Sequence, residues 1–195
     1  MSLDKFNRYQ IILASRSPRR KQLLEQLGLV FEIGTKKDVE EIFSANFSPC
    51  ENAKYLSKIK ANPYLNDLKS DNKIIISADT VVSIHDEVLG KPSDRDDAIR
   101  MLYLLSGDEH EVITGVTITS GVKQETFAVS TKVHFKPLSK AEIEYYVDAY
   151  QPYDKAGAYG IQEWIGLIGI DRIEGSYFNV VGLPVQRLYA ELQKI

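Results

Sequence analysis

The sequence predicts an α/β fold in which one mixed, twisted sheet is flanked by helices. Short apolar runs typical of buried strands alternate with amphipathic segments of helical spacing, a pattern that favours layers of strands and helices. In the middle of the chain, strand patterns over 111–119 and 127–135 are joined by a turn at Gly121, which indicates a long antiparallel hairpin. The 195 residues contain no internal repeat and no low-complexity linker, so we expect a single domain over residues 1–195.

The first third of the chain alternates strands and helices. Residues 10–14, with the sequence QIILA, predict a short buried strand. Ser17 is a candidate N-cap and Pro18 the first residue of the helix that follows, which Gly28 ends. The other elements predicted for this third are a strand over 30–33, a loop over 35–52 and a helix from about 51 to 61.

The middle third centres on a strand that is predicted to be buried. Residues 73–84 open with three consecutive isoleucines, a run that suits the centre of a sheet. Ser93 and Asp96 fit a capping box for the next helix, which Gly107 ends.

The last third contains both clear and ambiguous patterns. The predicted elements are a helix capped by Ser139, a non-regular segment over 152–160, strands over 164–170 and 176–181 that flank a turn at 171–175, and a terminal helix from Pro184 to Leu192.

Composition excludes several classes of protein. Acidic and basic residues nearly balance at a net charge of −3, which argues against a general binder of nucleic acid or of a membrane surface. Cys50 is the only cysteine, so an internal disulfide is excluded and a reducing compartment fits. No signal peptide is apparent, and no apolar stretch approaches the roughly 20 residues that span a bilayer. We therefore expect a soluble, cytoplasmic protein.

The start of the first predicted helix is a candidate for binding chemistry. The segment SRSPRR at 15–20 places two serine hydroxyls and three guanidinium groups beside the free backbone N–H groups of a helix start. This combination suits a phosphate group. A solvated helix start with surface arginines is an equally good interpretation of this motif alone.

Asp79 is a second candidate because it follows the apolar run 74–77. A carboxylate on a buried strand is costly unless it is paired or bound to a metal, so it could hold Mg²⁺ or accept a proton from water. The alternative is a strand-end aspartate hydrogen-bonded to a turn. Lys91 lies one hairpin further along and could pair with a phosphate, although a solvated turn lysine is the ordinary interpretation. Neither P-loop nor Rossmann spacing is present.

The segment DKAGAYGIQ at 154–162 is a third candidate. Its glycines allow close approach of the backbone to a ligand, and the Gln162 amide could bind a base edge. A glycine-containing loop packed by tyrosines is the alternative. Glu40 and Glu41 lie in the predicted loop and are solvated acids unless that loop brings one of them to a metal. The three histidines lack zinc-site spacing.

Together these segments resemble the Maf family of nucleoside triphosphate pyrophosphatases over nearly the whole chain. The matching motifs, in order, are ASRSPRR at 14–20, DVEE at 38–41, KA at 60–61, ADTVV at 78–82, GKP at 90–92, LSG at 105–107, His110, TGV at 114–116, DKAGAYGIQ at 154–162 and GSY at 175–177 through VGLP at 181–184. Any one motif would be weak, but several in one order make the resemblance specific. Glu163 is a departure, since the family often has glycine there.

The resemblance implies a fold like that of inosine triphosphate pyrophosphatases, with two lobes and a central cleft, and cleavage between the α and β phosphates with Mg²⁺ or Mn²⁺. It implies that Asp79 is the proton acceptor and that Glu41 and Asp79 hold the metal. The residues that it assigns to the substrate are Ser15, Arg19, Arg20, Lys60, Thr80, Lys91, Lys155 and Gln162. Of these, Arg19, Thr80 and Gln162 match the subgroup that acts on dTTP and UTP.

Two alternatives stay open beside a dTTP and UTP pyrophosphatase. One is a 7-methyl-GTP pyrophosphatase with the same chemistry, and the other is a nucleotide-binding regulator of septum formation that does not need hydrolysis. The expected partner is a nucleoside triphosphate, with no nucleic acid and no membrane. A homodimer would follow from family habit only.

Overall fold

The computed structural model describes residues 3–36, 39–68, 72–85 and 87–195, so Asp38 of the DVEE motif lies outside the described residues. The strands are β1 (Gln10–Leu13), β2 (Glu32–Ile33), β3 (Lys73–Ile84), β4 (Glu87–Leu89), β5 (Glu109–Ser120), β6 (Gln124–Phe135) and β7 (Ile170–Glu174). The α-helices are α1 (Pro18–Gln26), α2 (Pro49–Ala61), α3 (Arg95–Leu105), α4 (Lys140–Tyr150), α5 (Trp164–Gly169), α6 (Tyr177–Val181) and α7 (Val185–Leu192). Short 3₁₀ helices occur at Asp4–Arg8, Asn62–Asp67 and Ala156–Ala158.

The described strands form one mixed sheet of seven strands. Its order is β2-β1-β3-β5-β6-β7, with β4 paired to the end of β3. β1 runs parallel to both β2 and β3, whereas β4 is antiparallel to β3 and β7 is antiparallel to β6. Neighbouring β5 and β6 are joined by residues 121–123 only, a connection too short for a parallel crossover. The predicted mixed α/β sheet with its central hairpin is therefore confirmed.

The chain divides into two compact units, and the division falls within β3, β5 and β6. Unit 1 comprises Met1–Asp79, Thr114–Val129 and Gly182–Ile195, and unit 2 comprises Thr80–Ile113 and Ser130–Val181. In the part of the chain that the structure describes, no helix is both long and apolar enough to cross a membrane.

In unit 1, helix α2 lies very close to β5. Gly115 makes this approach possible, because a Cβ at that position would stand 2.1 Å from the Ala53 carbonyl oxygen. Buried hydroxyl groups further fix the contact between α2 and the sheet. The Ser57 hydroxyl lies 2.9 Å from that of Thr117, and the Ser77 hydroxyl donates to the Ser57 carbonyl at 2.7 Å. These buried groups set the position of α2 along the sheet.

In unit 2, helix α3 contacts both α4 and the 3₁₀ turn at 156–158. The buried residues of α3 are Ala98, Met101, Leu102 and Leu105, and Asp94 caps the helix by accepting from the Asp97 backbone N–H. The expectation that Ser93 caps this helix was therefore wrong. Asp94 already places a carboxylate at the N-cap, and the Ser93 backbone N–H instead donates to the Asp97 side chain at 3.0 Å.

Helix α2 begins at Pro49, two residues before its predicted start. Ser48 is the N-cap and forms a capping box with Glu51. A serine followed three residues later by a glutamate is the usual sequence pattern of such a box. The predicted caps at Ser17 and Ser139 are confirmed, each side chain accepting from a backbone N–H three residues later. The strand expected over 30–33 is reduced to Glu32–Ile33, since Val30 is 80% exposed.

The order of elements predicted for residues 164–181 was wrong at three places. The strand expected over 164–170 is helix α5, the turn expected over 171–175 is strand β7, and the strand expected over 176–181 is helix α6. A short apolar run does not distinguish a strand from a buried helix. Here Gly166 packs its helix backbone against the Ile161 carbonyl oxygen, where a Cβ would lie at 1.9 Å. Ser176 starts α6 by accepting, at its carbonyl oxygen, from the Asn179 backbone N–H at 3.1 Å.

Candidate active site

The start of α1 gathers polar groups of unit 1 around one buried arginine. β1 ends at Leu13, and Ser17 with Pro18 turns the chain into the helix. The Ser15 hydroxyl accepts from the Ser17 backbone N–H at 3.3 Å and from Arg20 Nη1 at 3.3 Å. Arg20 Nε donates to the Gly182 carbonyl oxygen at 2.8 Å. Hydrogen bonds at Nε and Nη1 therefore hold the guanidinium of Arg20 in a fixed orientation.

Asp79 stands at the centre of the second group of unit 1. It follows the buried run of β3 and is only 5% exposed. Lys60, in the last turn of α2, places its Nζ 2.5 Å from Asp79 Oδ1 and 2.9 Å from Glu41 Oε1. One ammonium therefore bridges the two carboxylates to which the sequence resemblance assigns a metal. Glu41, rather than its neighbour Glu40, is brought to this group.

The charges of these two groups act on one another. Burial lowers the pKa of the Arg20 guanidinium from its ordinary value, and the nearby carboxylates of Asp79 and Glu41 oppose that shift, while Arg19 adds to it. An arginine stays protonated throughout, so the shift reports the proximity of these charges and not a titration. One polar and charged region of unit 1 thus contains Ser15, Arg20, Lys60, Glu41 and Asp79.

The donor set suits a hard divalent cation. Mg²⁺ prefers carboxylate and other oxygen ligands, and Asp79 and Glu41 both turn an oxygen toward one cationic nitrogen. The Lys60 ammonium shows where a positive charge is stabilised. Metal and lysine cannot share that place, so a bound metal would require the ammonium to move.

In unit 2, the end of β3, its hairpin with β4 and the loop 154–162 are joined. The Gly157 backbone N–H donates to the Gly90 carbonyl oxygen at 3.1 Å. Gly157 has φ +69°, and a Cβ there would lie 3.0 Å from a methyl carbon of Val82. The half-buried Thr80 and the exposed Lys91 flank these contacts in the chain. The structure therefore links the ADTVV, GKP and DKAGAYGIQ motifs within this unit.

Lys155, which was predicted to bind substrate, lies between two carboxylates of unit 2. Its side chain is 9% exposed, and its Nζ lies 2.7 Å from Asp154 Oδ1 and 3.0 Å from Glu163 Oε1. Two carboxylates of its own unit therefore neutralise the charge that the sequence analysis assigned to the substrate. Gln162 is exposed.

Sequence reasoning missed Tyr146 and Glu163 as members of this region. The Tyr146 hydroxyl donates to Glu163 Oε2 and accepts from the Gly160 backbone N–H at 3.0 Å. Burial, with the hydrogen bond to Glu163, raises the pKa of Tyr146 well above its ordinary value, so the hydroxyl stays protonated. The available signal was a tyrosine within the apolar stripe of α4, since a buried tyrosine hydroxyl needs a polar partner.

A separate group on β5, β6 and β7 contains potential metal ligands. His134 Nε2 lies 3.1 Å from Glu109 Oε2 and 3.1 Å from Glu174 Oε1. Each carboxylate also has a cationic partner, with Lys132 2.8 Å from Glu109 and Arg172 2.7 Å from Glu174. Because these charges already compensate one another, the group is an ion-pair network of the sheet surface.

Comparison with known proteins identifies relatives over the full chain. The model of the family described as Maf-like protein matches residues 10–195. A dTTP/UTP pyrophosphatase of Bacteroides thetaiotaomicron is 48% identical over 99% of this chain and 100% of its own length. A protein of the same name from Phocaeicola vulgatus is 50% identical, again over 99% of this chain and 100% of its own.

Similarity to a solved structure is weaker. The Ham1 protein of Staphylococcus aureus is 15% identical, with a TM-score of 0.39 over 65% of this chain and 71% of its own. A similarity of that size does not by itself establish a common fold.

Proposed function

The chain belongs to the family of Maf-like proteins, and on that premise we propose that it is a nucleoside triphosphate pyrophosphatase acting on dTTP and UTP. It hydrolyses the bond between the α and β phosphates and releases the nucleoside monophosphate and pyrophosphate. The observation that supports this chemistry most directly is the bridge from Lys60 to both Asp79 and Glu41. It joins two carboxylates and a cation in unit 1, the charges that a metal-dependent attack on a phosphate requires.

In this proposal Asp79 accepts the proton of the attacking water, directly or through a second water. It is buried on the rigid strand β3, which keeps the carboxylate oriented while the reaction proceeds. Asp79 and Glu41 would hold a divalent metal, Mg²⁺ or Mn²⁺. When bound, that metal supplies positive charge to the phosphate oxygens and orients the triphosphate. A carboxylate bound tightly to a metal is a poor base, so we assign most of the metal binding to Glu41.

In the same proposal, cationic side chains neutralise the triphosphate and hydroxyl groups donate hydrogen bonds to it. Ser15, Arg20 and Lys60 present such groups in unit 1, where Arg20 is already oriented by its hydrogen bond to Gly182. The remaining assignments are Arg19, and in unit 2 Lys91 for phosphate and Thr80 and Gln162 for selection of the base. Free nucleoside triphosphates and magnesium are present in the cytoplasm, which we propose as the location.

The test is pyrophosphate release from a panel of nucleoside triphosphates with Mg²⁺ or Mn²⁺. We expect release from dTTP and UTP, and a loss of about 10²–10⁴-fold in kcat for Asp79→Asn, since that is the usual contribution of a positioned base. Asp171→Asn, an exposed aspartate on β7, is the matched control and should keep full activity. Near-normal turnover in Asp79→Asn would refute the mechanism. Release from 7-methyl-GTP alone would refute the assigned substrate, and no release from any nucleotide would refute the enzyme.

A further inference from the structure

The residues that precede and follow Gln162 form a closed turn in unit 2. The Glu163 backbone N–H donates to the Gly160 carbonyl oxygen at 2.9 Å, so Gly160 to Glu163 make a four-residue turn with Gln162 as its third residue. Ile161, the second residue, is buried, whereas Gln162 is exposed. The turn therefore displays the glutamine amide while its neighbour anchors it.

One hydroxyl holds both ends of this turn. Tyr146 accepts from the Gly160 backbone N–H at 3.0 Å and donates to the Glu163 carboxylate. Gly160 allows the carboxylate to come this close, because a Cβ there would lie 2.8 Å from Glu163 Cδ. The second carboxylate oxygen binds Lys155 at 3.0 Å, which ties the turn to the beginning of the loop.

The loop over 154–162 also contains backbone in a left-handed conformation. Gly157 and Ala158 have φ of +69° and +58°, and a residue with a side chain keeps such a left-handed conformation only where the surrounding structure imposes it. Further anchors come from Tyr159, whose hydroxyl lies 2.8 Å from His110 Nε2. Such over-determined strain is typical of ligand-binding loops.

We propose that Tyr146 and Glu163 are positioning residues that set base selection by fixing the orientation of Gln162, and that Lys155 neutralises Glu163. This inference rests on the proposed function, because it concerns the base of the same nucleotide. Neither Tyr146 nor Glu163 touches the triphosphate in this assignment. Loss of either side chain should therefore weaken recognition of the base and spare recognition of the phosphates.

The experiment compares Tyr146→Phe, Glu163→Ala and Glu163→Gln with Tyr145→Phe. Tyr145 lies on the same helix and its side chain is 54% exposed, which makes it the matched control. Three quantities are measured: kcat and KM for dTTP, UTP and CTP, the Kd of UMP by calorimetry, and the inhibition constant of inorganic tripolyphosphate. Melting temperatures and circular dichroism show whether each variant is folded.

We expect Tyr146→Phe and Glu163→Ala to raise KM for dTTP and UTP and the Kd of UMP by about tenfold, the effect of one lost hydrogen bond to the base. The ratio of kcat/KM for UTP to kcat/KM for CTP should also fall by about tenfold. Both kcat and the inhibition constant of tripolyphosphate should stay unchanged. Glu163→Gln keeps an oxygen for the Tyr146 hydroxyl and should stay close to the parent.

Two results would overturn the inference. One is an unchanged Kd of UMP in the folded Tyr146→Phe protein, and the other is an equal loss for UMP and tripolyphosphate. UMP binding reports on the base without turnover. An inactive parent protein would therefore count against the proposed function, while the response of UMP binding would still decide the role of Tyr146.

Discussion

Replacing Gly115 by alanine should displace Lys60 by moving helix α2, which carries this lysine. The added Cβ would lie 2.1 Å from the Ala53 carbonyl oxygen and 2.7 Å from the Lys54 backbone nitrogen. Both are backbone atoms of α2, so no side-chain rotation relieves the clash, and the helix must move by about 1 Å to regain an ordinary van der Waals separation. Lys60 lies at the end of that helix and would move with it, away from Asp79 and Glu41.

The expected cost has two parts. Overpacking of this kind destabilises a protein by about 1–3 kcal/mol, or roughly 3–10 °C in melting temperature for a chain of this size. A displacement of about 1 Å in a residue that orients the reacting groups can lower kcat by about 10²-fold. We would measure thermal unfolding and pyrophosphate release from dTTP. The control is Val122→Ala at the exposed tip of the β5–β6 hairpin, where Val122 is 86% exposed.

Wild-type activity and melting temperature in Gly115→Ala would refute the reasoning, since α2 would then not depend on the close contact. A destabilised variant with full activity when folded would keep the packing argument and refute the link from α2 to Lys60.

Two further predictions concern charge. Lys60→Met leaves Asp79 buried without its ammonium, so the free energy of unfolding without metal should fall by about 3 kcal/mol. Millimolar Mg²⁺ should then raise the melting temperature of the variant more than that of the parent. An equal response of the two proteins to Mg²⁺ would contradict a shared position for the two cations. Burial lowers the pKa of His110 to about 3, so the folded state keeps the imidazole neutral, whereas the unfolded state takes up a proton near pH 6.5. The contribution of His110 to the free energy of unfolding is therefore fully present above pH 6.5. It falls by about 1.4 kcal/mol per pH unit as the pH is lowered toward 3. His110→Gln should show a shallower pH dependence in denaturant titrations, and an identical slope would count against this assignment.

The parts of the fold that the sequence predicted well are those in which local signals agree with burial. Pro18 after Ser17 specifies a helix start by backbone geometry alone. The isoleucines of β3 predict a central strand because only a strand covered on both faces tolerates such a run. Asp79 could be recognised as a candidate for the same reason, since the residues that precede it in the strand are buried.

Other features depend on contacts between distant residues, which a single sequence does not display. In helix α5, Gly166 packs against the Ile161 carbonyl, a contact that the apolar run itself does not reveal. The bridge from Lys60 to Glu41 needs a loop residue and a helix residue far apart in sequence. Lys155 was predicted to bind substrate, and its ion pair with Glu163 appears only in the folded structure.

The Lys60 bridge also has a consequence for the order of events. In the absence of substrate, Asp79 and Glu41 already have a built-in counter-ion, so their mutual repulsion is relieved within the chain itself. In the proposed mechanism, a metal ion held by these carboxylates would take the place of that ammonium, and the phosphates of the substrate would offer the ammonium a new partner. We therefore expect metal and nucleotide to bind as one complex, each making the other's binding more favourable, with Lys60 passing from the carboxylates to the phosphates as they enter.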